Sequence, residues 1–280
     1  MYVFLNDRFV EADKASLHVS DLAIQRGYGI FDFFRVRNNV PLYVEDHLDR
    51  FLQSARIMHL SSPYSKYKLL SILSDLIKKN NLSNSGIRMI LTGGYSPDAY
   101  HPVSPNFIVM QNAITLDDSP TPKSVRIMTH EFVREIPEAK TINYTMGIWL
   151  QQQLNIQGAD DVLYHINGAV TEFPRCNFFI VTQDNVIITP DKNVLKGVTR
   201  KNIVACARAQ FQIKEAPVTL QDIRNAREAF LTSSTKRIQA VVKIDEHTLS
   251  DGKPGPLTSA LLSMLIEREQ EYVRNWVAKI

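Results

Sequence analysis

Alternation of apolar and polar residues marks the first strands of this chain. YVFLNDRFV at 2–10 alternates around Asn6-Asp7, and FFRVRNNVPLYV at 33–44 alternates around Asn38-Asn39, so each predicts a strand pair closed by a tight turn. From His47 the period changes. Leu48, Phe51, Leu52, Ala55 and Met58 recur at helical spacing, and Leu69, Leu70, Leu73, Leu76 and Ile77 mark a second helix. Strand character returns in SGIRMILTGG (85–94) and NFIVMQNAI (106–114), and DDSPTPK at 117–123 has the composition of a linker. A domain over 1–117, an interdomain linker at 118–123 and a second domain over 124–280 follow from that break. The second half predicts a strand in SVRIMTHEFV (124–133), a helix over 144–157, a hairpin at Asn167-Gly168 in DVLYHINGAVTEF, and another around Asp184-Asn185 in NFFIVTQDNVIITP. A helix from about 198, strands in EAFLTSST and AVVKIDEH, and a closing amphipathic helix from about 257 complete it. Hairpins outnumber strand-helix-strand alternations. The predicted class is therefore two α+β domains and not a doubly wound parallel sheet.

Composition narrows the function. With 280 residues, 44% hydrophobic and 22% charged, the chain has the make-up of a globular protein large enough for two cores. The net charge of +3 is spread along the chain, which gives no support to nucleic-acid binding. Cys176 and Cys206 are too few for a disulfide scaffold and have no metal-type spacing, so a cytoplasmic location and no metal are expected. Neither a signal-type amino terminus nor an apolar run long enough to span a membrane is present in the sequence, which reads as soluble and unprocessed. No phosphate-binding GxxxxGK[ST], dinucleotide GxGxxG or nucleophile elbow occurs either.

What remains is a set of separate features. Lys140, in PEAKTINY, lies between a strand and a helix candidate, where desolvation or a nearby cation would make its amine nucleophilic; the plain alternative is a solvated lysine. LKGVTRKNIVACA puts Gly197, Val198 and Thr199 at a helix start, which is either an anion site or an ordinary N-cap. His47 and Arg50 stand one turn apart in HLDRF. They form a surface face, or Arg50 turns inward as a fork for phosphate oxygens. Glu172 shares a strand face with Val170 and points inward to a cationic partner, or pairs with Arg175 at the strand end.

In this order the features resemble the fold-type IV, or class IV, pyridoxal-phosphate (PLP) aminotransferases: D-amino-acid transaminases, branched-chain aminotransferases and aminodeoxychorismate lyases. RGYGIFDFFRV (26–36) is similar to the family's glycine-rich strand segment, HLDRF (47–51) to its phosphate-arginine helix and EAKTINY (138–144) to its cofactor-lysine motif. TEFPRCNFF (171–179) resembles the glutamate-then-asparagine motif, KGVTR (196–200) the phosphate-binding helix start, and FLTSST (230–235) the last cofactor-contacting strand end. The resemblance implies the family's two-domain α+β architecture with PLP in the cleft and Lys140, in the second domain, holding it as a Schiff base. It further implies that Glu172 faces the pyridine nitrogen and that Arg50, Val198, Thr199 and Ser234 hold the phosphate. By the same resemblance Tyr144 would lie near the ring's phenolic oxygen, Asn177 would belong to the cofactor set, and the protein would be a homodimer.

The substrate positions depart from the better-known members. Classical D-amino-acid transaminases place an Arg and a His in the loop after the glycine pair; here GGYSPDAYHP has Asp98 and Tyr100. Branched-chain enzymes carry a Tyr two places before the strand arginine, where this chain has Gly86-Ile87-Arg88. Arg26, Arg88 and Arg175 are the cations available for substrate carboxylates, and Phe31 is assigned with them. The expected reaction is transfer of an amino group from a D-amino acid to 2-oxoglutarate or pyruvate. A branched-chain L-amino-acid aminotransferase, then an aminodeoxychorismate lyase, are the alternatives; a non-catalytic PLP-binding protein is disfavoured because holding phosphate requires neither Lys140 nor Glu172.

Overall fold

Both amino-terminal hairpins form in the computed structural model, which describes residues 1–278. The chain divides into two units. The first holds Met1–Asp117, Glu138–Asn143 and the residues from Tyr272 onward; the second holds Asp118–Pro137 and Tyr144–Glu271.

The first unit contains β1 (Tyr2–Leu5), β2 (Arg8–Glu11), α1 (Leu22–Arg26), β3 (Gly29–Arg37), β4 (Val40–Pro41), α2 (Val44–Ile57), α3 (Lys66–Asn80), β5 (Ser85–Thr92) and β6 (Phe107–Ala113). Its sheet runs β2-β1-β6-β5-β3-β4, with every neighbour antiparallel. The turns at Asn6 (φ 54°), Asn38 (φ 50°) and Asn39 (φ 64°) are left-handed, a conformation asparagine tolerates better than most side chains. Val44, Leu48, Phe51 and Ala55 of α2 and Leu69, Leu73, Leu76 and Ile77 of α3 bury the helical faces that their spacing predicts. They pack on Ile30, Phe34, Val36, Ile87, Met89 and Leu91 of the sheet. Each such side chain contributes about 1.5–3 kcal/mol on burial. The short helix α1, held by an Asp21 cap on Ala23 N–H and a left-handed Gly27, carries too few residues to display a period in the sequence.

Lys140 corrects the expected domain assignment. The sequence places it in the second domain, whereas residues 138–143 run along β3 in the first unit: Phe31 N–H donates to Lys140 O at 2.9 Å, Ile142 N–H donates to Gly29 O at 3.1 Å, and Ile30 bridges Thr141. Lys140 N–H donates to Ser54 Oγ of α2 at 3.0 Å, and Ala139 is fully buried in the core. Glycine is what lets the strands close here. A Cβ on Gly29 would stand 2.8 Å from Leu91 O and 3.1 Å from Ile142 Cδ1.

The second unit contains β7 (Ser124–Glu131), α4 (Thr145–Trp149), α5 (Gln151–Gln157), β8 (Asp161–Ile166), β9 (Ala169–Val170), β10 (Asn177–Val181), β11 (Ile187–Thr189), α6 (Val198–Ala207), β12 (Ile213–Glu215), α7 (Leu220–Arg224), β13 (Glu228–Ser233), β14 (Arg237–Ile244), β15 (His247–Thr248) and, as far as Glu271, α8 (Pro256–Val277). The sheet order is β12-β11-β10-β13-β14-β7-β8-β9, with β15 beside β14. Most pairs are antiparallel, and β7 lies parallel to both β14 and β8. Phe179 and Phe230 stack at 4.8 Å at the centre of this sheet, where Ile203 and Val204 of α6 and Leu261, Leu262 and Leu265 of α8 cover them. The helix expected over 144–157 is two helices. The Gln151 side-chain amide donates to Gly147 O, taking a carbonyl that a continuous helix would give to a backbone N–H.

Candidate active site

In the first unit a buried triad sits between β3 and α2. Asp32 shares a strand face with the fully buried Ile30 and Phe34 and is itself inaccessible to solvent. Its Oδ2 accepts from Arg50 Nε at 2.8 Å, its Oδ1 accepts from Arg50 Nη2 at 2.7 Å, and His47 Nδ1 lies 2.7 Å from the same Oδ1. Burial pushes the Asp32 pKa up, but the charges and hydrogen bonds of Arg50 and His47 outweigh it and hold this carboxyl well below the usual carboxylate range. An ionised carboxylate only accepts, so His47 Nδ1 carries the proton toward it, and the Arg50 Nη2 contact to that nitrogen at 3.2 Å is proximity without a hydrogen bond. Burial lowers the His47 pKa, opposed by Asp32 and reinforced by the cations Arg50 and Lys140. The surface-face reading of His47 and Arg50 is thereby excluded.

This triad makes the fold acid-sensitive in a defined order. Both folded-state pKa values are depressed, so the unfolded chain binds more protons and stability falls with falling pH. The loss begins as pH drops below the ordinary histidine value of 6.5, through His47, and continues below 3.8 through Asp32. His47→Gln is expected to flatten the upper part of that decline in a pH series of thermal melts. An unchanged profile between about pH 6.5 and 5 would remove His47 from the account.

The opposite face of β3 presents a different set. Phe31 is half-buried; Lys140 Nζ stands 4.5 Å from its ring centroid, and Arg88 Cζ, from the neighbouring strand β5, stands 5.7 Å from it. One aromatic ring is therefore flanked by an amine and a guanidinium. Arg26, at the exposed end of α1, turns its Nη1 back to Gln25 O. Asp98 accepts from Ser96 Oγ, from the Tyr100 and His101 N–H groups and from His101 Nδ1, so it orders its own loop and offers no positive charge to a carboxylate.

In the second unit Glu172 is buried, and its partner is Arg134. Oε1 accepts from Arg134 Nε at 2.9 Å and Nη2 at 2.6 Å, while Oε2 accepts from Leu195 N–H at 2.9 Å and Asn177 Nδ2 at 3.4 Å. Arg175, the partner considered from sequence, is exposed three residues on. Arg134 sits in an irregular stretch after β7 and carries no pattern that would have pointed to it. Asn177 Nδ2 also donates to Leu195 O at 2.7 Å, which ties β10 to the loop before α6. Gly197 is the N-cap of α6 with no side-chain cap, so the N–H groups of Val198 and Thr199 open the helix as expected. A Cβ at Gly197 would stand 2.2 Å from Asn177 Oδ1, so only glycine permits this approach. Ser234 lies in the short turn between β13 and β14, and Thr232 Oγ1, buried on β13 across from Asn177, has no hydrogen-bond partner. Tyr144 precedes α4 and lies near the buried Tyr164, whose hydroxyl burial pushes well above the usual tyrosine range. Among the described residues no His, Cys, Asp and Glu group could hold a metal ion.

Each unit carries groups of the kind a phosphorylated aldehyde cofactor uses: in the first an amine beside an aromatic ring, and in the second a buried carboxylate paired with arginine, an uncapped helix start for an anion, and a buried hydroxyl still lacking a partner. Known proteins agree with that chemistry. The model of the family described as amino-transferase class IV matches residues 29–244. A D-alanine aminotransferase of Listeria innocua serovar 6a is 31% identical over 278 residues, covering 95% of this chain and 96% of its own length. A putative branched-chain-amino-acid aminotransferase of Methanocaldococcus jannaschii is 28% identical over 293 residues, covering 100% and 99%. The crystal structure of a branched-chain aminotransferase from Thermoproteus uzoniensis with norvaline shares the fold, with a TM-score of 0.86 at 23% identity over 98% of this chain and 97% of that one. Sequence motifs, fold and kinship converge, and the chain belongs to the class IV aminotransferases.

Proposed function

We propose that this protein is a PLP-dependent transaminase that moves an amino group between a D-amino acid and a 2-oxo acid such as 2-oxoglutarate or pyruvate. The observation that carries this reading is the Phe31 ring flanked by Lys140 Nζ and Arg88. A substrate whose Cα lies at the lysine amine then has its carboxylate within reach of a guanidinium, the group best matched to it. The D-alanine aminotransferase kinship supports the D-configuration.

PLP supplies an electron sink for the pair left at the substrate Cα. The protein does the rest. Lys140 Nζ would hold the cofactor aldehyde and, once released by the substrate, would carry the proton between the substrate Cα and the C4′ of the cofactor. Glu172, paired with Arg134 and aimed by Asn177, would be the counter-charge for a protonated ring nitrogen. Arg50, the N–H groups of Val198 and Thr199, the Thr199 hydroxyl and Ser234 hold the phosphate, and Tyr144 serves the ring hydroxyl. Arg88, with Arg26 and Arg175, selects carboxylates. Arg88→Leu is expected to raise KM for the acids about 10–100-fold while kcat falls far less, the value of one charge-assisted contact. Steady-state kinetics with D-alanine and 2-oxoglutarate check this, and an unchanged KM would assign Arg88 to the surface.

We also read the protein as a cytoplasmic homodimer with small-molecule partners, without nucleic acid or membrane. The exposed Ile148, Trp149 and Ile156 of α4 and α5 support a covering second copy, both cysteines are free, and no helix among the described residues is long and apolar enough to cross a membrane. The test of function is the half-reaction: D-alanine or D-glutamate should bleach the yellow enzyme, with L-leucine inert. Equal or faster bleaching by L-leucine would favour a branched-chain aminotransferase, and pyruvate release from aminodeoxychorismate without an acceptor would favour the lyase.

A further inference from the structure

The turn that carries Ser234 is gripped from both sides. On one side Lys236 Nζ donates to Asp161 Oδ2 of β8 at 3.0 Å, where the Asp161 side chain is buried. On the other, Arg237 Nε donates to Glu269 Oε2 of α8 at 2.9 Å, its Nη2 lies 2.8 Å from the same oxygen, and Nη2 also donates to Asp118 Oδ1 at 3.0 Å. Arg237 is 4% exposed and Glu269 2%. Within the turn, Lys236 N–H donates to Ser233 Oγ at 3.1 Å, and Ser233 pairs with Arg237 to close the hairpin.

Arg237 adopts φ +53°, a left-handed conformation that a long side chain disfavours and glycine takes freely. A residue stays in that region only when its surroundings hold it there, and two carboxylates do so. Lys236 and Arg237 face three carboxylates, Asp161, Glu269 and Asp118, which hold the two side chains on either side of the turn.

We propose that Arg237 and Lys236 are positioning residues: a two-sided clamp that fixes the Ser234–Lys236 turn in the shape that lets Ser234 meet the cofactor phosphate. This rests on the assignment of Ser234 to the phosphate and adds the residues that aim it. Arg237→Gly removes the clamp while relieving the backbone, and the double variant Arg237→Gly/Glu269→Gln avoids leaving a buried carboxylate unpaired. Lys236→Met opens the other side.

The 280-residue chain, stripped of cofactor, is titrated with PLP and with pyridoxal, which lacks the phosphate. In each variant PLP affinity is expected to fall about tenfold, with pyridoxal affinity unchanged, as for the loss of one charge-assisted contact. A ratio of PLP to pyridoxal affinity equal to that of the parent overturns the clamp, whether both affinities hold or both fall together. A parent chain that does not prefer PLP over pyridoxal overturns the phosphate assignment itself and the clamp with it.

Discussion

Replacing Lys140 with Ala is expected to lower turnover of D-alanine with 2-oxoglutarate by at least about 10⁴-fold, because the variant loses a nucleophile and a proton carrier together. The visible absorbance of the bound cofactor should change with it. The fold should hold. The backbone of residue 140 keeps its bonds to Phe31 and Ser54, and the side chain is only half-buried, so stability is expected to stay within about 1 kcal/mol of the parent. Initial rates, an absorbance scan and a thermal melt on one preparation separate these effects. Turnover within tenfold of the parent would remove Lys140 from the chemistry.

Asp32→Asn should act on the fold itself. The substitution keeps size and shape but removes the negative charge facing Arg50, whose side chain is 12% exposed, so in the cofactor-free protein a guanidinium is left desolvated without a counter-charge. Breaking a buried pair from one side costs about 3–5 kcal/mol. For a protein of this size that corresponds to a drop of about 10 °C in melting temperature. The double variant Asp32→Asn/Arg50→Met, which removes both charges, should be less destabilised than the sum of its two single changes. A single variant that melts within about 1 °C of the parent would show that the charge at position 32 is not what holds Arg50.

The elements that could be read from the sequence are those with a strong local cause. Asparagine turns at positions 6, 38–39, 167 and 185 announced four hairpins, since asparagine and glycine accept positive φ at little cost. Helices α2, α3, α6 and α8 carried enough turns to display an apolar face. What escaped was short or non-local. Helices α1 and α7 have five residues each, and the placement of residues 138–143 against β3 depends on contacts with chain more than a hundred residues earlier. Asp32 was legible in principle: in GIFDFF it occupies the apolar face shared by Ile30 and Phe34, and a carboxylate there requires a cation. Arg134 was not, because nothing in an irregular segment tells which of several carboxylates an arginine meets. The motif order nevertheless pointed to the family, because glycine at a helix start and a lysine among strand ends are local requirements of the chemistry.

The most direct test of the account is to reduce the PLP-loaded enzyme with borohydride, digest it and map the pyridoxyl-modified peptide by mass spectrometry. The account predicts one modified residue, Lys140, within the sequence EAKTINY. Modification of a different lysine, or of none, would contradict it.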